Sequence, residues 1–324
     1  MALLSTACYK KEMKKIAALL YGRDDGHLDH LAPICSLLDI PLYITSNTLY
    51  CFALEQYKDI TCILANPNDV AAIITENYEG ILSTLPRQLL DPIFLFEEIT
   101  FKKRLHSYWL PHGASDKNNM SALTNEDTLL IYGDKMKLML PQEEQEKTIS
   151  IGNFRLQYFI KYKAFYHTLL KNHFRFDRTN ILYAPSWEFD ISSMIDRLIA
   201  QKPKNTTLFI KPHPNSYKKG TLTATMIRYE GIEGIFFIEN FFPIYPLLSM
   251  MDALYTDISS IGYDFLFFDK PLFFTEDITS PLNACGSLVD WNSPYKILPS
   301  DLHHEQRAAL YANVFSKKSN LENM

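Results

Sequence analysis

The chain has 324 residues, of which 47% are hydrophobic and 21% charged, and a net charge of −5. That length accommodates two domains with separate cores, at roughly 100–200 residues each, and the composition excludes a disordered chain. The anionic balance and the lack of a long Lys/Arg block exclude a nucleic-acid backbone as the main partner, because such binding needs a basic face.

Residues 16–21 read as a buried strand, followed by Gly22 and a charged loop through Gly26. Apolar residues at helical spacing over 28–38 and an extended run at 40–44 complete a β–α–β opening. Short apolar runs follow at 61–64, 71–74, 92–95 and 128–131, punctuated by Pro67, Pro86, Pro92, Pro111 and Pro141. The aromatic and basic stretch 158–173 predicts one helix. A second cycle then begins, with strands at 180–184, 207–210, 235–238, 253–256 and 272–274 and helices over 191–201, 245–251 and 259–268. Such alternation predicts an α/β fold with parallel sheets covered by helices on both faces. The expected form is two Rossmann-like doubly wound domains facing across a cleft, residues 1–168 and 169–324.

The five cysteines, Cys8, Cys35, Cys51, Cys62 and Cys285, contain no C-x-x-C pair. Their odd number predicts reduced, mostly buried thiols and therefore a cytoplasmic protein. Residues 1–8 lack the apolar core of a signal peptide, and no apolar run approaches the roughly 20 residues of a membrane span. Lys10, Lys11, Lys14 and Lys15 suit a solvated helical turn, or contact with an anionic membrane surface.

In open α/β sheets ligands bind outside the carboxyl ends of the strands, and several polar motifs sit at such predicted ends. The most informative runs from Asp252 to Asp264: an apolar stretch ends in Asp257, Ser259 and Ser260 follow, and a helix begins. The first turn of a helix carries unpaired N–H groups and partial positive charge, so these serines suit a phosphate or diphosphate. The alternative is an ordinary N-cap. His213 lies between Pro212 and Pro214, which stop the preceding strand and stiffen the turn. His112, between Pro111 and Gly113, is placed on a tight turn, and an imidazole with a pKa near neutrality suits proton transfer there. His27 and His30, beside Asp24, Asp25 and Asp29, have a spacing that offers metal ligands on a helix, although a charged first helical turn accounts for them without a metal. No metal is expected, and the absence of a G-x-G-x-x-G or Walker lysine loop means that no cofactor is expected either.

Five segments, taken in order, resemble the motifs of the CDP-glycerol glycerophosphotransferase family of teichoic-acid-type polymer enzymes. They are Trp109-Leu-Pro-His112-Gly113-Ala-Ser115-Asp116-Lys117, Gly152-Asn-Phe-Arg155-Leu, Ile181-Leu-Tyr-Ala-Pro185-Ser186-Trp187, Phe209-Ile-Lys211-Pro-His213-Pro214 and 257–264. The resemblance implies a GT-B glycosyltransferase fold. It also implies an enzyme that moves a glycerol-phosphate or related polyol-phosphate unit from a CDP-activated donor to a hydroxyl of a polymer or lipid-linked acceptor, releasing CMP. Enzymes of this family usually work at the cytoplasmic face of the membrane.

Residue by residue, the resemblance makes His112 the general base and places His213, Ser259 and Ser260 at the donor's phosphates. It puts Pro185 and Ser186 on the donor side and matches Asp257 to the acid before the serines, a loop-orienting cap; Lys211 and Arg155 are the nearest cations or else surface charges, and Asp264, inside the following helix, is structural. The chain departs from the family pattern in three places: Glu188 stands where the family has Arg, Asn153-Phe154 and Gln157 replace Tyr-Pro and Asp, and Leu110-Pro111 separate Trp109 from His112. Two other readings stay open. One is a GT-B glycosyltransferase that uses a nucleotide sugar for surface polysaccharide. The other is a catalytically silent nucleotide-binding protein on the same fold, which Glu188 keeps in play.

Overall fold

The computed structural model describes residues 15–22, 25–114, 116, 123, 125–186, 190–218, 220, 222–240, 243–277, 279–296 and 300–315. Among these, seven strands form one parallel sheet: β1 (Ile16–Leu20), β2 (Leu42–Ile44), β3 (Cys62–Leu64), β4 (Gly80–Ser83), β5 (His106–Trp109), β6 (Thr128–Ile131) and β7 (Thr148–Ser150), in the order β3-β2-β1-β4-β5-β6-β7. Six more form a second parallel sheet: β8 (Thr179–Ala184), β9 (Thr206–Ile210), β10 (Ile235–Phe237), β11 (Ala253–Thr256), β12 (Leu272–Phe274) and β13 (Ser287–Leu288), in the order β10-β9-β8-β11-β12-β13.

Helices α1 (Leu28–Leu38), α2 (Asn47–Gln56), α3 (Val70–Asn77), α4 (Arg87–Thr100), α5 (Asp134–Leu138) and α6 (Gln142–Gln145) connect the strands of the first sheet. Helices α7 (Phe154–Lys161) and α8 (Lys163–His173) lead from it to the second. There α9 (Ile191–Ala200), α10 (Pro214–Lys218), α11 (Thr223–Tyr229), α12 (Ile244–Ser249), α13 (Ser260–Phe265) and α14 (His304–Val314) follow.

β1 is Ile-Ala-Ala-Leu-Leu and is buried along its whole length, the continuous apolar run demanded of a parallel strand covered on both faces. β3, at the sheet edge, is only partly covered. One apolar cluster runs from the inner face of the first sheet (Trp109, Tyr132, Phe154) to that of the second (Tyr245, Phe265, Phe274). Separate clusters back each sheet on its outer face. After α14 the chain packs against the first sheet's side of the molecule, with Phe315 edge-on to Tyr132 at 5.4 Å between ring centroids.

The structure differs from the sequence expectation in several elements. The apolar runs 71–74 and 92–95 lie on α3 and α4, whose buried residues include Ile74 and Phe94. The strand between these helices is β4, which opens on Gly80 because a Cβ there would lie 3.0 Å from the Tyr108 ring and 3.2 Å from the His106 carbonyl. The single helix expected over 158–173 is broken at Tyr162, whose ψ of 26° interrupts the helical geometry between α7 and α8.

Candidate functional site between the two sheets

Each sheet reverses its winding once, between β1 and β4 in the first and between β8 and β11 in the second. A ligand in such a sheet binds outside the strand carboxyl ends near that reversal. In the first sheet those ends lead to the short turn Asp25–His27 after β1, to Thr84 after β4, and to the His112-Gly113 turn after the neighbouring β5. In the second they lead to Pro185-Ser186 after β8, Lys211-Pro-His213 after β9, and 257–260 after β11.

Between these loops lies a cavity of about 410 Å³, within the roughly 300–1,000 Å³ usual for small-molecule sites. His27, His30, His112 and His213, four of the chain's nine histidines, line it together with Asp29, Arg155, Lys211, Glu239, Ser260 and Asp264. The two halves touch at Gly113. Its φ is +133°, and a Cβ there would lie 2.9 Å from Ser260 Oγ, so glycine is what lets the His112 turn meet the serine turn.

His112 is exposed and stacks on the half-buried His27, with ring centroids 4.9 Å apart and planes 13° from parallel. His27 Nδ1 lies 2.6 Å from Thr84 Oγ1. Thr84 is buried, and its carbonyl accepts from the Trp109 indole N–H at 3.2 Å. His30 sits deeper, with Nδ1 3.0 Å from the Tyr132 hydroxyl. Burial, reinforced by Arg155 and by the neighbouring His112 and His27, holds the His30 pKa well below the usual imidazole value, so this ring is neutral at physiological pH. On the opposite wall His213 Nδ1 accepts the Asn215 backbone N–H at 3.1 Å, which leaves the proton of the neutral ring on Nε2 as a donor.

The serine turn is built more by side chains than by a long helix. Ser259 caps α13, its Oγ accepting the Ile261 N–H at 3.4 Å, and α13 tightens into a 3-10 turn after Phe265. The helix expected over 259–268 is therefore α-helical only for Ser260–Phe265. Asp257 is buried; its carboxylate accepts the Ser186 N–H at 2.8 and 3.0 Å and the Ser186 hydroxyl at 3.0 Å. Asp257 thus ties the loop after β8 to the loop after β11. Of the residues expected at the donor, Arg155, Lys211, His213 and Ser260 line the cavity, whereas Pro185, Ser186, Asp257 and Ser259 do not.

Arg155 is held from both sides. The turn that opens α7 positions it: Gly152 has φ +62°, and Asn153 Oδ1 accepts the Leu156 N–H at 3.1 Å. Its Nη2 donates to both oxygens of Asp264 at 2.6 and 2.7 Å, and Nη1 to Asp29 at 3.2 Å. Tyr245 donates its hydroxyl to Asp264 at 2.8 Å, and Asn153 Nδ2 donates to Tyr245 at 2.7 Å. Asp29 also accepts from the Tyr57 hydroxyl at 3.0 Å and the Ile244 N–H at 3.2 Å. Burial raises the Asp29 pKa from 3.8 to about 6 against the pull of Arg155, and raises that of Asp264 as well. The guanidinium expected at the donor phosphates is thus already engaged by two carboxylates.

Glu188 and Trp187, with Ser115 and Lys117 of the His112 motif, lie outside the described residues. Among the described residues no group of three or more His, Cys, Asp or Glu side chains is arranged to hold a metal ion. The place of His27, His30 and Asp29 in the cavity wall escaped the sequence reading. The usable signal was their position directly after the first buried strand.

The family model for CDP-Glycerol:Poly(glycerophosphate) glycerophosphotransferase matches residues 168–293. No curated protein sequence matches the chain. Among solved structures, a variant of the wall teichoic acid polymerase TagF is similar with a TM-score of 0.68 at 14% identity, covering 96% of this chain and 86% of that one. The MnaA–UDP co-structure from S. aureus gives 0.58 at 13% identity, covering 94% and 92%. Anabaena HepE in complex with UDP-glucose gives 0.53 at 12%, covering 93% of each chain. These likenesses show the fold, an α/β pair of parallel sheets of the GT-B type.

Replacing Arg155 by Ala leaves two buried carboxylates without their cation and should cost about 3–5 kcal/mol, read as a fall in the urea midpoint. For Asp29, the raised native pKa means that the folded state holds its proton more tightly than the unfolded chain does. Its stabilising contribution is complete below about pH 4 and is lost as the pH rises through about 6. Wild type should therefore lose stability relative to Asp29→Asn across that window in melting curves; a constant difference between the two proteins would contradict the assignment.

Proposed function

We infer that the chain is a transferase of the CDP-glycerol glycerophosphotransferase kind, moving a polyol-phosphate unit from a CDP-activated donor to an acceptor hydroxyl in surface-polymer synthesis. The observation that carries this reading is the meeting of the His112-Gly113 turn with Ser260 across the cleft, in a chain whose residues 168–293 match that family. It brings a candidate base from one sheet beside a phosphate grip from the other. In this reading residues 1–168 serve the acceptor and 169–324 the nucleotide donor.

The acceptor hydroxyl oxygen attacks the phosphorus that bears the polyol while His112 takes the hydroxyl proton. A new O–P bond forms, the bond from that phosphorus to the bridging oxygen breaks, and CMP leaves with the electron pair. Charge accumulates on the phosphoryl oxygens and on the departing phosphate, and Lys211, the His213 Nε2–H and the Ser260 hydroxyl are the groups of the cavity wall suited to hold it. Ser259 and Asp257 act behind Ser260, fixing the turn. The two structures with bound UDP or UDP-glucose share the fold but lie at 12–13% identity, so a sugar-transfer reading has only the architecture in its favour.

A polymer or lipid-linked acceptor calls for access to a membrane face. α4 supports this: Leu89, Leu95, Phe96 and Ile99 stand exposed along it, Phe96 at 73% and Ile99 at 67%, and Phe101, Lys102 and Lys103 follow directly. An apolar stripe ending in lysines suits an anionic lipid surface. No helix among the described residues is long and apolar enough to cross a membrane.

His112→Ala should abolish transfer from CDP-glycerol to a glycerophosphate-primed acceptor while leaving the melting-temperature rise induced by CMP in place. Turnover that survives the change would remove His112 from the role of base. In a panel of CDP-glycerol, CDP-ribitol, CMP, UDP-sugars and UDP, cytidine ligands should raise the melting temperature and Ser260→Ala should reduce that rise. A response to uridine nucleotides alone would shift the reading to sugar transfer, and no response at all to a silent fold. Phe96→Glu/Ile99→Glu should weaken sedimentation with phosphatidylglycerol vesicles by about tenfold or more; unchanged sedimentation would dismiss α4 as the lipid contact.

A further inference from the structure

We propose that His27 is a positioning residue that sets the ring plane of His112, an inference that rests on the reading of His112 as the base. The two rings reach the cleft from different strands of the first sheet, His27 after β1 and His112 after β5, and meet nearly parallel at 4.9 Å. His112 stands exposed on the turn between Pro111 and Gly113, where side-chain torsions have several staggered settings, and the flat face of a partner, His27, at 4.9 Å restricts which of them the ring can take.

His27 can serve as that partner because it is anchored in turn. Its Nδ1 is 2.6 Å from the hydroxyl of the buried Thr84, whose carbonyl is held by the indole N–H of Trp109. Trp109 precedes His112 by three positions on the same strand-end segment, so the chain of contacts closes on itself: Trp109 fixes Thr84, Thr84 orients His27, and His27 backs His112. The geometry also speaks against the ligand role that the His27/His30 spacing offers in the sequence. Stacked rings present faces to one another while their in-plane lone pairs run side by side, and His27 Nδ1 is engaged by Thr84. His27 and His112 therefore do not converge on one ion.

The value of such a partner lies in alignment, because a base misplaced by about 1 Å can lose roughly a hundredfold in rate. The test compares His27→Ala, His27→Phe, Thr84→Val and the pairwise combination His27→Ala/Thr84→Val, with His112→Ala as reference, in kcat and KM for CDP-glycerol. Melting temperatures show that each variant is folded. His27→Ala should lower kcat by about tenfold to a hundredfold with the donor KM within about twofold of wild type. His27→Phe, which keeps a flat ring but lacks the nitrogen held by Thr84, should fall between His27→Ala and wild type, at about the level of Thr84→Val. Thr84→Val should lower kcat in the wild-type background and add nothing to His27→Ala, the non-additivity expected of residues acting in series.

Wild-type kcat in His27→Ala overturns the proposal, as does a His27→Phe enzyme no better than His27→Ala. A raised KM with unchanged kcat makes His27 a binding group instead. If His112→Ala itself retains turnover, the reading of the base has failed, and a loss in His27→Ala then belongs to some other group.

Discussion

The arrangement depends on one buried cation. Arg155 follows the last strand of the first sheet and reaches Asp264 on α13 of the second, while its other nitrogen meets Asp29 on α1. Removing charges from water is costly, and the cost is offset only where geometry is good and the remaining hydrogen-bonding positions are filled. Here Nη2 of Arg155 bridges both oxygens of Asp264, Tyr245 supplies a further donor to Asp264, and Tyr57 and the Ile244 amide supply donors to Asp29, while Arg155 Nε is buried with no hydrogen-bond partner among the described residues. The cluster therefore favours one relative placement of α1, α7, α12 and α13, and these are the elements around the cavity.

That constraint explains why groups from distant parts of the chain meet in one place. His112 and Ser260 are far apart in sequence, yet a Cβ at Gly113 would lie 2.9 Å from Ser260 Oγ. Each sheet contributes the ends of the strands beside its winding reversal, the part of a parallel sheet where backbone is not covered by the next crossover helix. Asp257 performs on the second sheet what Thr84 performs on the first: it is a buried polar group that ties one strand-end loop to its neighbour. Neither lines the cavity, and both fix groups that do.

Much of this was legible in the residues. Continuous apolar runs such as Ile16–Leu20 announce buried parallel strands, and polar residues just beyond them mark candidate sites, which is how His213 and Ser260 stand out; His112 stands out by the tight turn between Pro111 and Gly113. Strands β4 and β5 were not legible, because Gly80-Ile-Leu-Ser and His106-Ser-Tyr-Trp are short and carry polar or small residues that burial alone makes strand-like. The apolar faces of α3 and α4 flank β4 and are the stronger signal. The part of Arg155 was also hidden. Its motif marks a cation near the phosphates, but only the fold shows that Asp29 and Asp264 close on it, since their separation in sequence carries no pairing information. His27 and His30 drew attention by their spacing, and the fold gives that spacing a different meaning: His30 points to Tyr132, and His27 to Thr84 and His112.

In the proposed mechanism a base on one sheet and a phosphate grip on the other constrain how the cleft is built. A proton acceptor works only within hydrogen-bond reach of the attacking hydroxyl, and a phosphate donor only at comparable distance from the leaving group. Tolerances add across the gap between the halves, so both rims need stiffening independently of the seam. Proline on both sides of His213, the backbone amide of Asn215 on its Nδ1, and the His27 ring against His112 provide that stiffness locally. The carboxylates of the seam would repel a diphosphate if left bare. Because Arg155 engages both, part of their negative charge is neutralised at the wall where, in the proposed reading, an anionic donor would lie. The Arg155 cluster thus both ties the two halves together and limits the negative charge of the cavity wall.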